Sequence, residues 1–156
     1  MQKIVHKIHQ KYLYYLNKLR IYKLKILGAS IGENVKAYGR FSVVNAYNLG
    51  IGENSTINEG VHINCRDKVT IGKNVHISTN VQIHTGKLIL KQNPRFHSKE
   101  QIIIKNNVWL ATNVVVLAGV TIGENSVIGA SSVVSKDIPP NSLAIGMPAK
   151  VKRKIY

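Results

Sequence analysis

An aliphatic residue followed by a small or polar one returns at intervals of six along most of this sequence, and no other feature restricts the possible folds as strongly. Six consecutive anchors, from residue 104 to residue 134, keep strict register. A period of six fits neither an α-helix of 3.6 residues per turn nor a strand with two alternating faces. The aliphatic anchors are Ile31, Ile51, Ile57, Ile63, Ile71, Ile77, Ile83, Ile104, Leu110, Val116, Ile122, Ile128 and Val134.

Short strands joined by tight turns into a three-sided coil explain this period, with the anchors pointing inward. Three such strands predict a coil of eighteen residues, in which each coil buries its aliphatic side chains against its neighbours. Asparagine recurs at one turn position of the repeat, and it tolerates the left-handed backbone conformation that tight turns require. The asparagines in this position are Asn34, Asn54, Asn74, Asn80, Asn107, Asn113 and Asn125.

Residues 1–27 form a different zone, with seven Lys or Arg residues, no acid, and apolar residues three and four positions apart. This spacing predicts one amphipathic helix or two short ones, ending near Gly28. The whole chain has 22 Lys and Arg against 7 Asp and Glu, a formal charge of +15, so we expect anionic partners. The helix would dock on an anionic membrane surface or pack on the rest of the fold, and the two roles are compatible.

The repeat breaks on a large scale between Ile83 and Ile104, which stand 21 residues apart instead of 18. The stretch 86–100 has a proline and polar residues where anchors belong, so we predict a loop extruded from the coil. The chain then divides into a basic amphipathic helical segment 1–27, a β-helix 28–149 and a basic tail 150–156. The prolines near residue 140 make this tail fold back or leave the coil.

Three observations bear on the compartment. Cys65 is the single cysteine and cannot form an intramolecular disulfide. No apolar run approaches the roughly 18 residues needed to cross a bilayer, and residues 1–27 lack the apolar core of a signal peptide. We therefore expect a cytoplasmic protein. Peripheral contact with the inner face of the membrane is compatible with this expectation.

The segments VWLATN, VVSKDIPP and AIGMPAK, with hexads reaching back to Ile31, resemble the hexapeptide-repeat acyltransferases, in particular the sugar O-acetyltransferases of bacterial surface-polysaccharide pathways. The resemblance implies a left-handed parallel β-helix, mainly β, that forms a homotrimer with active sites in the clefts between subunits. It also implies direct transfer of an acetyl group from acetyl-CoA, without a metal, to a hydroxyl of a polysaccharide or lipid-linked saccharide precursor.

The resemblance further implies which residues contact acetyl-CoA. The tryptophan of VWLATN would flank the thioester, the next positions would contact pantetheine, and the tail cations would face the phosphates, as fixed cations suit a multiply anionic ligand. These positions are Trp109, Ala111, Thr112, Ala130, Ser135, Lys136, Lys150 and Arg153.

Acetyl transfer to a hydroxyl group needs a base to take the proton, and family members place a histidine for this at the root of the extruded loop. Here the sequence departs from the family, because ungapped alignment puts Leu88 at that position. His84 and His97 bound the loop, and we predict His84 as general base, with His97 orienting the substrate or taking the role itself. Asn58 matches a family asparagine that helps to hold substrate or the oxyanion.

Two other functions fit parts of the sequence. A metal-dependent hydratase related to carbonic anhydrase uses the same fold, but it would require three histidines converging on zinc at a subunit interface. A non-catalytic basic module for anionic partners is compatible with the charge, yet aromatic residues for base stacking are few and no nucleic-acid motif is present. We therefore expect no specific nucleic-acid partner, and the tail motif favours the acyltransferase.

Overall fold

The computed structural model describes residues 2–90 and 94–155. The chain begins with the helix α1 (Gln2–Ile26), in which the side chains of residues 3 and 4 are not described. The predicted segments 1–27, 86–100 and 150–156 each include residues outside this description. Of the two alternatives for the first segment, one continuous helix is correct. The predicted stop is also confirmed, because Gly28 has φ of 90° while its amide donates to the Lys25 carbonyl and Ala29 donates to Leu24.

Short strands follow the helix. Those before the extruded segment are β1 (Ser30–Ile31), β2 (Lys36–Tyr38), β3 (Ser42–Val44), β4 (Leu49–Ile51), β5 (Thr56–Asn58), β6 (His62–Asn64), β7 (Val69–Ile71), β8 (His76–Ile77) and β9 (Gln82–His84). The extruded segment contains β10 (Gly86–Ile89) and β11 (Phe96–Lys99). The later strands are β12 (Ile102–Ile104), β13 (Trp109–Leu110), β14 (Val115–Val116), β15 (Thr121–Ile122), β16 (Val127–Ile128), β17 (Val133–Val134), β18 (Ser142–Ile145) and β19 (Lys150–Lys154).

The coil strands stack into three parallel sheets, and the predicted left-handed parallel β-helix is confirmed. Face 1 contains β1, β4, β7, β12 and β15. Face 2 contains β2, β5, β8, β13, β16 and β18, and β19 joins it as an antiparallel edge strand. Face 3 contains β3, β6, β9, β14 and β17. The tail therefore folds back onto face 2. Of the two predicted alternatives, folding back or leaving the coil, the first is correct.

The aliphatic anchors form the core. Every predicted anchor from Ile51 to Val134 is buried, and Ile31 at the first coil is half-buried. Two side chains of α1, Ile21 and Leu24, belong to the same buried cluster, so the C-terminal half of the helix covers the open end of the stack. Within residues 2–90 and 94–155, no helix combines the length and apolar character needed to cross a membrane.

The predicted turn asparagines all adopt the left-handed conformation, with φ between 53° and 60°. At one corner the asparagines form a column whose side chains bond from coil to coil, since the Asn107 amide donates to Asn125 at 2.9 Å and Asn125 donates to Asn141 at 3.0 Å. The asparagine column thus satisfies its own polar groups while it turns the chain.

The predicted coil length of eighteen residues is correct only from β12 to β17, and the last coil is shorter, since Val127 pairs with Leu143 sixteen residues later. Ser42 and His62 face each other in adjacent coils and are twenty residues apart, whereas Asn107 and Asn125 are eighteen apart. The extra residues lie at the corner between face 3 and face 1, where a 3-10 turn (Ala46–Asn48) occupies one coil. The prediction of eighteen residues overlooked this longer corner, although the anchors carry it: Ile63 and Ile71 are eight residues apart, and Ile31 and Ile51 are twenty apart.

The predicted extruded segment over 86–100 does leave the coil, and its two arms pair as an antiparallel hairpin from Gly86 with Lys99 to Ile89 with Phe96. Residues 91–93 lie outside the described part of the chain. Polar side chains suit an exposed two-stranded ribbon, because its backbone groups satisfy each other whatever the side chains are. The hairpin leaves at the same face 3 to face 1 corner that carries the extra residues.

Candidate functional site

Two histidines lie side by side on the outer surface of face 3. The ring centroids of His62 and His84 are 5.4 Å apart, with the ring planes inclined by 44°. They are diagonal neighbours, because His62 pairs with Gln82 across β6 and β9 while Asn64 pairs with His84. The Ser42 hydroxyl lies 2.7 Å from Nδ1 of His62. The histidine pair is therefore held in place from the coil below.

The surroundings of His84 suit it to accept a proton. Its pKa is lowered from the ordinary histidine value, first by burial and second by repulsion from a charged His62. The imidazole consequently stays neutral, and able to take a proton, down to a lower pH than a free histidine would. A general base for a hydroxyl group needs this form of the ring.

Asn64 stands directly opposite His84 and has an unusual side chain. Its Oδ1 atom is buried and has no hydrogen-bond partner among the described residues. A buried amide oxygen without a donor is costly, so its presence calls for a reason. The chain itself encloses this atom, so it is not open to a ligand on the surface of face 3.

Thr85 fixes the root of the hairpin beside the histidines. Its buried hydroxyl donates to the Asn64 carbonyl and accepts from the Asp67 amide, both at 2.9 Å. Its carbonyl accepts from the Glu100 amide at 2.9 Å, which joins the two arms where they leave the coil. His84 thus precedes a residue that is bonded to the preceding coil and to the hairpin at once.

His97 lies on the outer arm of the hairpin, paired with Leu88. Leu88 follows His84 by four positions, which is roughly 13 Å along an extended chain. The structure therefore does not bring His84 and His97 into contact within one chain. It does set the exposed His97 beside Leu88, the position at which the family resemblance expected the base.

The predicted acetyl-CoA residues lie mainly on face 2 and its border with face 3. Trp109 is 51% exposed, and its indole Nε1 donates to the Ser78 hydroxyl at 2.9 Å. Ala111 and Thr112 follow at the corner between the two faces. Ala130 occupies the same corner one coil later, next to Ser131, whose amide donates to the Thr112 carbonyl at 2.9 Å.

The two predicted tail cations extend this surface. On the exposed strand β19, Lys150 pairs with Ile145 and Arg153 pairs with Leu143. Ser135 and Lys136 are exposed too, but they follow β17 at the far side of face 3, so the structure separates them from the other predicted contacts. All these roles stay predictions.

Asn58 lies on face 2, away from the histidine pair, and its amide nitrogen donates to the Ile77 carbonyl at 2.8 Å. This bond supports the next coil, and the predicted contact with substrate stays a prediction. His62 and Asn64 were not selected from the sequence. The motif HIN around the anchor Ile63 stands twenty residues before QIH, and a twenty-residue register would have paired the two.

Among the described residues, no group of three or more His, Cys, Asp or Glu side chains could hold a metal ion. Cys65 is buried, and burial raises the pKa of its thiol to about 12. A protonated buried thiol is a poor nucleophile, so Cys65 fits a packing role.

Comparison with known proteins finds the same repeat elsewhere. Residues 101–136 match the family described as bacterial transferase hexapeptide (six repeats). Galactoside O-acetyltransferase of Escherichia coli strain K12 is 43% identical over 136 residues, which are 85% of this chain and 66% of the relative. The chain thus spans slightly less than two thirds of that relative, and 44% to 55% of the length of other curated acetyltransferases that it matches.

Solved structures extend the similarity to the fold. A hexapeptide-repeat acetyltransferase from Vibrio cholerae complexed with acetyl coenzyme A is 30% identical, with a TM-score of 0.84, covering 90% of this chain and 79% of that one. A galactoside acetyltransferase in complex with coenzyme A is 36% identical, with a TM-score of 0.80, covering 96% of this chain and 80% of that one.

Proposed function

The chain belongs to the hexapeptide-repeat acetyltransferases, and from that membership we propose that it transfers an acetyl group from acetyl-CoA to a hydroxyl group of a saccharide. The observation that carries this proposal is the His62 and His84 pair on face 3. Acetyl-CoA as the donor is supported by the relatives that are complexed with acetyl coenzyme A or coenzyme A.

In the proposed reaction, the neutral imidazole of His84 takes the proton of the acceptor hydroxyl as its oxygen attacks the thioester carbonyl. The tetrahedral intermediate then collapses, the C–S bond breaks, and the CoA thiolate recovers the proton from the His84 imidazolium. His97 is proposed to orient the acceptor from the hairpin or to take the proton itself.

Acetyl-CoA is proposed to lie against Trp109 and along the corner of Ala111, Thr112 and Ala130, with its phosphates near Lys150 and Arg153. This surface and the histidine pair look outward from different faces of one β-helix. A homotrimer, in which face 3 of one subunit meets face 2 of the next, would bring them together. The acceptor is proposed to be a surface-polysaccharide or lipid-linked precursor, a class that suits the basic charge and the galactoside relative.

The test follows free thiol release from acetyl-CoA in the presence of a panel of saccharides. We expect His84→Ala to lower kcat/KM by about a thousandfold, since a positioned general base contributes roughly 10²–10⁴-fold. His97→Ala should cost less if it only orients the acceptor. His9→Ala, an exposed histidine of α1, is the matched control. Full activity in both the His84 and His97 variants would refute the histidine mechanism.

A further inference from the structure

α1 presents a continuous apolar stripe to solvent. The stripe has seven members, all of them large apolar side chains, and each is 54% to 69% exposed. Isolated exposed apolar residues are ordinary, but a contiguous row marks a binding surface. The stripe consists of Val5, Ile8, Tyr12, Tyr15, Leu19, Tyr22 and Ile26.

The stripe lies on the side of α1 opposite to the β-helix. Its residues alternate at spacings of three and four, which keeps them on one side of a helix. The residues that hold α1 to the coil lie on the other side. Ile21 and Leu24 enter the core, and Arg20 donates to the Gly39 carbonyl at 3.1 Å. The contacts that fix the helix therefore leave the stripe uncovered.

The charges around the stripe identify what covers it. Lys7, Lys11, Lys18 and Lys25 follow one edge of the stripe, Lys23 follows the other, and residues 1–27 contain no acid. Two copies of the helix that met along their stripes would set these lysines against each other, and like charges beside an apolar seam are destabilising. An anionic surface instead meets a cation along the length of the stripe.

We infer that the stripe docks α1 on a membrane surface with anionic headgroups, with the helix lying in the plane of the interface. Apolar side chains enter the acyl boundary to a depth of about 5–10 Å while the lysines reach the headgroups. Three tyrosines in the stripe suit this depth, because each has an apolar ring and a polar hydroxyl. Since Ile21 and Leu24 fix α1 to the first coil, the helix-capped end of the β-helix faces the bilayer.

The experiment measures binding of the full chain to vesicles by sedimentation. Vesicles of equal parts phosphatidylcholine and phosphatidylglycerol should bind the protein more than about tenfold tighter than phosphatidylcholine alone, because each lysine near an anionic surface contributes roughly fivefold. Ile8→Ser combined with Leu19→Ser should weaken binding to the anionic vesicles by about a hundredfold. Both residues are exposed, so the variant should keep the helical signal and unfolding temperature of the parent.

A matched pair of variants on the same helix distinguishes binding through the stripe from nonspecific binding to lipid. Tyr12 and Tyr14 are 59% and 55% exposed, but only Tyr12 belongs to the stripe. Tyr12→Ser should weaken vesicle binding about fivefold, and Tyr14→Ser should leave it unchanged within about twofold. The inference is overturned if the double stripe variant binds anionic vesicles as tightly as the parent. It is also overturned if, without lipid, that variant changes the mass of the oligomer, because the stripe would then join copies of the chain. No acetyl transfer is measured, so the proposed function stands or fails separately.

Discussion

Face 2 and face 3 have the same interior and different exteriors. Inward, both present the buried aliphatic anchors that repeat along the coil. Outward, face 2 offers a half-exposed Trp109 and the cations of β19, whereas face 3 offers two histidines. The inward positions decide that the chain coils, and the outward positions decide what each face can bind. The proposed acetyl-CoA surface and the proposed base therefore look in different directions from one chain.

The largest effect is expected from testing whether the proposed acetyl-CoA surface and the proposed base of one site come from different subunits. Ala130→Trp should block the proposed path of acetyl-CoA on face 2, and His84→Ala should remove the base on face 3. Each variant alone should be nearly inactive. When the two variants are co-expressed, the proposed homotrimer predicts that a site between an intact face 3 and an intact face 2 re-forms, and random mixing should restore about a quarter of the parental thiol release.

The control mixes each variant with itself, prepared with the same pair of affinity tags. Ala130 is exposed and Ala130→Trp should fold as the parent does, which circular dichroism checks. Mixed oligomers no more active than the two separate variants would mean that both faces serve the same chain. Such a result would refute the proposal that each site is shared between two subunits.

A smaller effect is expected from the cations at the edge of face 2. Lys150→Gln combined with Arg153→Gln should raise the KM for acetyl-CoA about tenfold and leave kcat little changed, because phosphate contacts contribute equally to ground and transition states. The effect should shrink at high salt. Lys36→Gln with Arg40→Gln, an exposed pair in the first coil, is the matched control. A fall in kcat alone would contradict a role in binding CoA.

The sequence predicts the interior of this protein better than its exterior. Ile83 and the other anchors could be recognised because one missing apolar residue would leave a cavity costing about 2–5 kcal/mol, so the repeat is strictly kept. Asn80 and the other turn asparagines carry a similar constraint from their backbone. The helix over 1–27 was also evident, but the face by which it packs was not, since Ile21 and Tyr22 are both apolar.

The exterior depends on the register between coils, which a uniform coil of eighteen residues gets wrong before the extruded segment. His62 lies beside His84 only because the early coils have twenty residues, and the two additional residues are at a corner where any short turn fits. His97 and Leu88 meet because the hairpin arms pair, and their polar composition predicted a loop. Interactions between coils, rather than local propensity, therefore bring the candidate site together.

The smallest expected effect concerns the coupling of the two histidines. His62→Gln removes a neighbouring charge that lowers the pKa of His84, so this pKa should rise while burial still holds it down. A higher pKa means that His84 is protonated at a higher pH, and the acid limb of kcat/KM should move upward. The loss should be less than about tenfold and confined to acidic pH, because His84 is neutral in both proteins at higher pH.

His76 provides the control for this last experiment, because it repeats the arrangement of His62 on the other face. Its Nδ1 lies 3.0 Å from the Thr56 hydroxyl, as that of His62 lies 2.7 Å from Ser42. His76→Gln should leave the acid limb where it is, since His76 is on face 2 and His84 is on face 3. If the acid limb of kcat/KM moves equally in both variants, the change in net charge causes the shift. A limb that moves only in His62→Gln would assign it to the ring contact on face 3.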